Sequence, residues 1–441
     1  MSGNANARYA KSNALLARAR KVIPLGSQTF SKSYQQFPAG AAPLFLTEGR
    51  GARVWDVDGN EYVDLIAGLL PVLLGYRDPD VDAAIRNQLD RGITFSLATE
   101  LEVELAERLV EIVPCAEMVR FGKNGSDATT GCVRVARAAT GRDRIILCGY
   151  HGWHDWYVAK TVRNKGVPKV EAGLSDRVPY NDLDAVRKVF KQYPGEVAAL
   201  IMEPAGAVEP APDYLAELKE LVHANGAVLI FDEIVTGFRF AAGGAQEYFG
   251  VTPDLAAFGK AMGNGMPIAA VVGKAALMNE MEEIFFSSTF GGEALSLAAA
   301  IATVDKIKRE PVVQKLWQSG KALADGAKLL IAKHGLQGVI GLQGLAPWTL
   351  LAFSDAPSAR KEAIKTLFIR EMLARGVLMA ASHNVSYAIS ETDIAAVLRA
   401  YEGAMDVVAE QLKGGKLEQN LGCPPIMPVF SVRPVVAQPA A

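Results

Sequence analysis

Short, continuous apolar runs, each separated from the next by a helical pattern, dominate the chain between about residue 70 and about residue 300. They are Met118 to Phe121, Arg144 to Cys148, Val197 to Met202, Val228 to Phe231 and Ile268 to Val272. A strand wetted on one face alternates polar and apolar residues, so runs without alternation are buried on both faces. With helices between them, such runs predict an α/β fold whose mostly parallel sheet is covered on both sides. In sheets of this kind, ligands bind beyond the carboxyl ends of the strands.

The flanking regions read differently. An amphipathic helix is expected around Ala14 to Val22, ending before Pro24. Residues 52–65 alternate on either side of Asp58-Gly59, a strong hairpin signal. After about residue 305 the pattern changes to longer amphipathic helices with a few strands. Ser390 and Asp393 form an S-x-x-D cap, followed by Ile394, Val397, Leu398, Tyr401, Met405, Val408 and Leu412 at helical spacing. These features predict four parts: an amino-terminal segment (1–69) packing with a small domain, a large domain (70–305), the small α+β domain (306–415), and a Pro- and Val-rich tail (416–441) lying loosely against the body.

Bulk properties exclude several function classes. The chain has 441 residues and a formal net charge of −2. There is no basic stripe for nucleic acid and no apolar stretch long enough to span a membrane. The amino terminus lacks the apolar core of a secretory signal. Cys115, Cys132, Cys148 and Cys423 are scattered without metal-ligand spacing, so reduced thiols in a cytoplasmic protein are expected. His151 and His154 lack further ligands at suitable spacing, and no metal is expected.

The strand ends carry the chemistry. Asp232 closes the run Ala227 to Phe231. Lys260 follows Leu255 to Phe258 and sits among Gly259, Ala261, Gly263 and Gly265, small residues that let a backbone approach a bulky ligand. The stretch does not match a Walker A loop. A carboxylate and an amine presented from two strand ends can hold pyridoxal phosphate: the lysine bonds its aldehyde, and the carboxylate keeps its ring nitrogen protonated. Gly125-Ser126 opens a helical pattern after Phe121 and offers N–H groups and a hydroxyl to a phosphate, although the same residues also suit an ordinary helix cap. Tyr150 follows Cys148 and can stack on a planar group or simply pack. Glu203 follows Met202 as a second acid.

The order NGSDAT, YHG, MEP, FDEIVTGF, FGKAMGNGMP, SSTFGGEAL resembles that of class III pyridoxal-phosphate aminotransferases, from about Lys21 to about Leu412. Within that family the chain is most similar to glutamate-1-semialdehyde aminomutases, through WDVDGN at residues 55–60 and GAQEYFGVTPDL at residues 244–255. The resemblance implies fold type I with a seven-stranded sheet, and a homodimer with shared active sites. It makes Lys260 the cofactor-bonded lysine and proton shuttle, and Asp232 the partner of the pyridine nitrogen. Tyr150 and Ile234 would flank the ring. Gly125, Ser126 and the partner subunit's Thr289 would hold the phosphate, with His151 and Glu203 nearby. The implied reaction is transamination by a ping-pong route between a small-molecule amine and a carbonyl compound. The rivals on the same cofactor are an aminomutase and an amino-acid epimerase.

The chain also departs from the aminomutase pattern. Lys32 stands where that group has a carboxylate-binding Arg, and a Lys cannot grip a carboxylate bidentately. A Gly/Ser-rich gating loop after YHG is replaced by Trp153-His154-Asp155-Trp156-Tyr157. The stretch His383 to Tyr387 is shorter and lacks a Glu. Losing the gate favours release of product and true transamination. Trp153, Trp156 and Tyr157 either line a pocket for a bulky substrate or pack the domain edge. Arg239 either binds a donor carboxylate or forms a structural salt bridge.

Overall fold

The structure is a computed structural model that describes residues 7–428. These residues form two compact units, one of residues 7–69, 74–77 and 314–428, the other of residues 70–73 and 78–313.

In the first unit the opening helix is Ala10–Ala19. It ends three residues earlier than the periodicity predicts, and Ile23, directly ahead of Pro24, is extended. Strands β1 (Leu46–Arg50), β2 (Arg53–Asp56) and β3 (Glu61–Asp64) form an antiparallel meander. The β2–β3 turn falls at Asp58-Gly59: Asp56 Oδ1 accepts from the Asp58 and Asn60 amides, and Gly59 takes φ +87°.

The second unit supplies the next seven strands. They are β4 (Met118–Gly122), β5 (Arg144–Cys148), β6 (Ser175–Arg177), β7 (Val197–Met202), β8 (Val228–Asp232), β9 (Leu255–Phe258) and β10 (Ala269–Gly273). Their order in the sheet is β4-β10-β9-β8-β7-β5-β6. β6, β5, β7, β8 and β9 run parallel, and β10 is antiparallel to both of its neighbours, β4 and β9. β4 therefore points the same way as β9, and five apolar strands end on one edge. Every residue of β7 to β10 is buried. Side chains such as Leu200 and Ile201 each contribute about 1.5–3 kcal/mol by leaving water. The Gly125–Thr140 helix lays Ala128, Cys132, Val135 and Ala136 on one face of this sheet. It is started by an Asn124–Asp127 capping box and stopped by Gly141 in the left-handed region.

The chain then completes the first unit. β11 (Ile340–Gln343), β12 (Trp348–Phe353) and β14 (Ser382–Asn384) make a small sheet, while β13 (Val377–Leu378) pairs in parallel with β3. The last long helix, Glu391–Lys413, carries the expected Ser390–Asp393 capping box. The following segment is pinned rather than loosely laid: Leu417, Leu421 and Ile426 are buried, and the Ile426 amide donates to Thr366 Oγ1 at 2.7 Å. The rest of the expected tail, from residue 429, lies outside the described residues.

One buried polar network in this unit makes stability depend on pH. His383 is fully buried, with Nδ1 at 2.8 Å from Thr349 Oγ1 and Nε2 at 2.6 Å from the Tyr401 hydroxyl. Burial pushes its pKa down from 6.5 to about 4. The folded value lies below the unfolded one, so the contribution is complete above about pH 6.5 and is lost as pH falls towards 4. Its size is about 3 kcal/mol. Urea unfolding of His383→Gln is expected to show a flatter fall in stability across that window than the native protein. Equal slopes would mean that His383 protonates freely in the folded state.

Candidate active site

The register of the central strands brings Cys148, Met202 and Phe231 into one row at the carboxyl edge. The residues that follow them, Gly149, Glu203 and Asp232, emerge side by side. Asp232 is 4% exposed. Its Oδ1 accepts from the Ile234 amide at 3.1 Å, and its Oδ2 lies 2.8 Å from Nδ1 of the buried His151. The imidazole is stacked on Trp156 and meets Tyr157 edge-on, so it cannot turn away. With its Nδ1–H donating to the carboxylate, His151 leaves Nε2 buried and without a hydrogen-bond partner among the described residues.

Glu203 serves the same edge. Its Oε2 accepts from the Tyr150 amide at 2.9 Å, and a Cβ at Gly149, where φ is +120°, would sit 2.7 Å from that oxygen. Tyr150 is half-buried and meets Tyr157 edge-on at 5.6 Å. The glycines on either side of Tyr150-His151 are therefore conformational requirements.

Lys260 begins a one-turn 3-10 helix directly after β9, and it is half-buried. Its φ is +36°, a left-handed conformation that costs a residue with a side chain about 1–3 kcal/mol and that concentrates at functional sites. Asn264 and Gly265 repeat the pattern at +44° and +111°.

Gly125 is the first residue of its helix, where N–H groups have no preceding turn to accept them. A Cβ at Gly125 or Gly259 would come within 3.0–3.1 Å of Ile234, and one at Gly152 would lie 2.3 Å from Ser126 Oγ. Ser126 is buried, and its Oγ accepts from the Trp153 amide at 3.2 Å. The carboxylate, the amine and the helix start are thus held around a floor of glycines and Ile234. Lys123, just ahead of this helix, pairs with Glu293 at 3.1 Å.

The remaining candidates are placed differently. Thr289 is exposed in the loop that precedes the Ala294–Arg309 helix. Trp153 is 69% exposed. Trp156 and Tyr157 are both buried, and Trp156 Nε1 donates to Thr130 Oγ1. Arg239 is fully buried, donates to the Leu70 carbonyl at 2.9 Å, and has its pKa lowered to about 9 by burial. Lys32 belongs to the other unit and is exposed. Sequence reasoning did not find the His151–Asp232 bond or the Glu203–Tyr150 bond. The Gly149 and Gly152 pair around Tyr150-His151 was the signal that could have pointed to them.

Residues 34–401 match the family described as Aminotransferase class-III. The chain is a class III aminotransferase. It is 35% identical over 416 residues to a 3-aminobutyryl-CoA aminotransferase of Cloacimonas acidaminovorans, covering 92% of this chain and 99% of the relative. It is 37% identical over 422 residues to a glutamate-1-semialdehyde 2,1-aminomutase of Desulfatibacillum aliphaticivorans, covering 89% and 98%. Among solved structures, it resembles the FumI protein of Sphingopyxis sp. MTA144 in its PLP internal aldimine form, with TM-score 0.85, 31% identity, and coverage of 92% and 98%. This class III aminotransferase has the PLP-dependent transferase fold, with the mostly parallel seven-stranded sheet of the second unit. Its cofactor is pyridoxal 5'-phosphate, and the residues at the carboxyl edge fit that group: a buried carboxylate, an amine and a helix start around a glycine floor. Among the described residues no helix is long and apolar enough to cross a membrane, and no cluster of side chains could hold a metal ion.

Proposed function

We propose that this aminotransferase passes an amino group from an amine donor to a carbonyl acceptor in two half-reactions, with Lys260 and Asp232 as its catalytic pair. The observation that carries the assignment is the Asp232–His151 bond at the end of β8, next to a lysine held at φ +36° at the end of β9. Bound pyridoxal phosphate supplies a ring that takes up the negative charge left at the substrate carbon.

The protein's own groups do the rest. Lys260 Nζ would hold the cofactor covalently, and as a free amine it would take the proton from the amine-bearing carbon of the donor and, in the second half-reaction, deliver one to the carbonyl carbon of the acceptor. Asp232 keeps a positive charge on the ring nitrogen, and His151 fixes the carboxylate in place. Tyr150 and Ile234 bracket the ring, and Glu203 sets the backbone that presents Tyr150. Gly125 and Ser126 hold the phosphate.

The partner subunit's Thr289 completes that phosphate site in a homodimer. Supporting this, Phe285 and Phe290 on either side of Thr289 are 85% and 56% exposed, a costly display for a lone subunit. A large domain of 70–305 binds the cofactor, with 306–415 as the smaller domain. The four free cysteines, three of them buried, support a cytoplasmic setting. Lys32, Trp153 and Arg239 are the substrate-side candidates, Arg239 acting through the Leu70 backbone. The relative named for 3-aminobutyryl-CoA supports a donor whose amine lies on an acyl thioester.

Three measurements test this reading. Double-reciprocal plots at several acceptor concentrations are expected to run parallel, and intersecting lines would contradict two separate half-reactions. Sustained turnover of one amino compound with no acceptor would favour the aminomutase reading instead. Gly152→Ala is expected to weaken cofactor affinity about 10–100-fold, because the added methyl at φ +105° strains the turn and displaces Ser126 Oγ. Unchanged affinity in a cofactor titration would remove Ser126 from the phosphate site.

A further inference from the structure

A groove of about 370 Å³ runs along the outer face of the Gly125–Thr140 helix. Its floor follows the helix from Thr130, one turn beyond Ser126, through Arg134 to Arg137, and Trp153 and Glu171 stand at its walls. At 1.5 Å per residue, Arg137 lies about 16 Å along the helix from Ser126. The two guanidinium groups are held by main chain: Arg134 donates to the Phe285 carbonyl at 2.9 Å and Arg137 to the Asp143 carbonyl at 2.8 Å. Each keeps further N–H groups for another acceptor.

The Trp153 indole is 69% exposed, yet it is backed edge-to-face by His154, which is itself bonded to Thr130 at 2.7 Å. A rigid exposed indole is a stacking platform for a planar base. In the wall the two arginines are matched by Asp155 and Glu171. The surplus comes from the stretch leading to Glu171: residues 160–169 carry Lys160, Arg163, Lys165 and Lys169 and no acid, in a chain whose net charge is −2.

We propose that this groove binds the nucleotide end of a coenzyme A thioester substrate. Phosphates suit the two arginines, and adenine suits the indole. The distance along the helix matches a long arm between the charged end and the carbon that reacts. The proposal rests on the thioester-donor reading and locates the part of that donor remote from the chemistry.

The test uses the cofactor-loaded enzyme with free coenzyme A, pantetheine and ATP as probes, followed by tryptophan fluorescence. Coenzyme A is expected to quench saturably, with loss of the signal in Trp153→Phe. Pantetheine, which lacks the phosphates and the base, is expected to bind at least about tenfold more weakly, whereas ATP, which carries both, is expected to compete with coenzyme A for the groove. Arg134→Ala/Arg137→Ala and the surface reversal Arg163→Glu/Lys165→Glu are both expected to raise the coenzyme A Kd at least tenfold and to raise KM for a 3-aminoacyl-CoA. Their half-reaction with a free amino acid, read from cofactor absorbance, is expected to stay unchanged. The surface reversal guards against misfolding of the first variant. Absence of quenching, binding of pantetheine as tight as that of coenzyme A, or a thioester KM unmoved in both variants would overturn the groove assignment. A thioester that binds in the groove but is never turned over would overturn the donor reading alone.

Discussion

Replacing Lys260 with Ala is expected to lower kcat by about four orders of magnitude and to abolish covalent retention of the cofactor under reducing conditions. Two roles should fall together, since under the proposed mechanism the same Nζ holds the cofactor and carries the proton. The backbone at Lys260 adds an independent prediction. Its φ of +36° is unfavourable for any residue with a side chain. Lys260→Gly should therefore relieve about 1 kcal/mol and raise the melting temperature of the cofactor-free protein, while being as inactive as Lys260→Ala. A gain in stability with complete loss of turnover marks strain kept for function. Activity within tenfold of the native enzyme in either variant would remove Lys260 from the mechanism.

Asp232→Asn should cost about 10²–10³-fold in kcat, the usual loss when one preorganised electrostatic group is removed. The substitution keeps the shape of a side chain that is 4% exposed, so the fold should survive; what it removes is the negative charge. His151→Asn should cost less, because His151 acts through Asp232, and its effect should include a shifted pH profile that a purely structural role would not produce. Equal kcat for Asp232→Asn and the native enzyme would show that the ring charge is set elsewhere.

Much of this was legible in the sequence. Unbroken apolar runs mark doubly buried strands, and β7 to β9 appear where those runs lie, with Asp232 closing β8 and Lys260 two residues beyond β9. Local chemistry is read well where a few adjacent residues decide the outcome, as at the Asp58-Gly59 turn and the Ser390–Asp393 cap. Direction is not encoded this way. The run Ile268 to Val272 would look the same in either sense, and nothing in it shows that β10 is antiparallel. Burial of polar groups was also hidden. Arg239 reads as a carboxylate binder or half of a salt bridge until the carbonyl of Leu70, distant in sequence, is seen to accept from it. Trp156 and Tyr157 follow a glycine-flanked histidine and so suggest a pocket, but they fill the space beneath the imidazole.

The reversed strand β10 also bears on when the enzyme can be completed during synthesis. β4 leads into the turn at Gly125, yet among the described residues its only sheet neighbour is β10, which is made about 150 residues later. A nascent chain that has emerged only as far as Lys260 already contains Gly125 and Asp232, but β4 has nothing to pair with. Cofactor capture should therefore mark one of the last steps in maturation of this unit, and chains released before residue 273 should be unable to retain it.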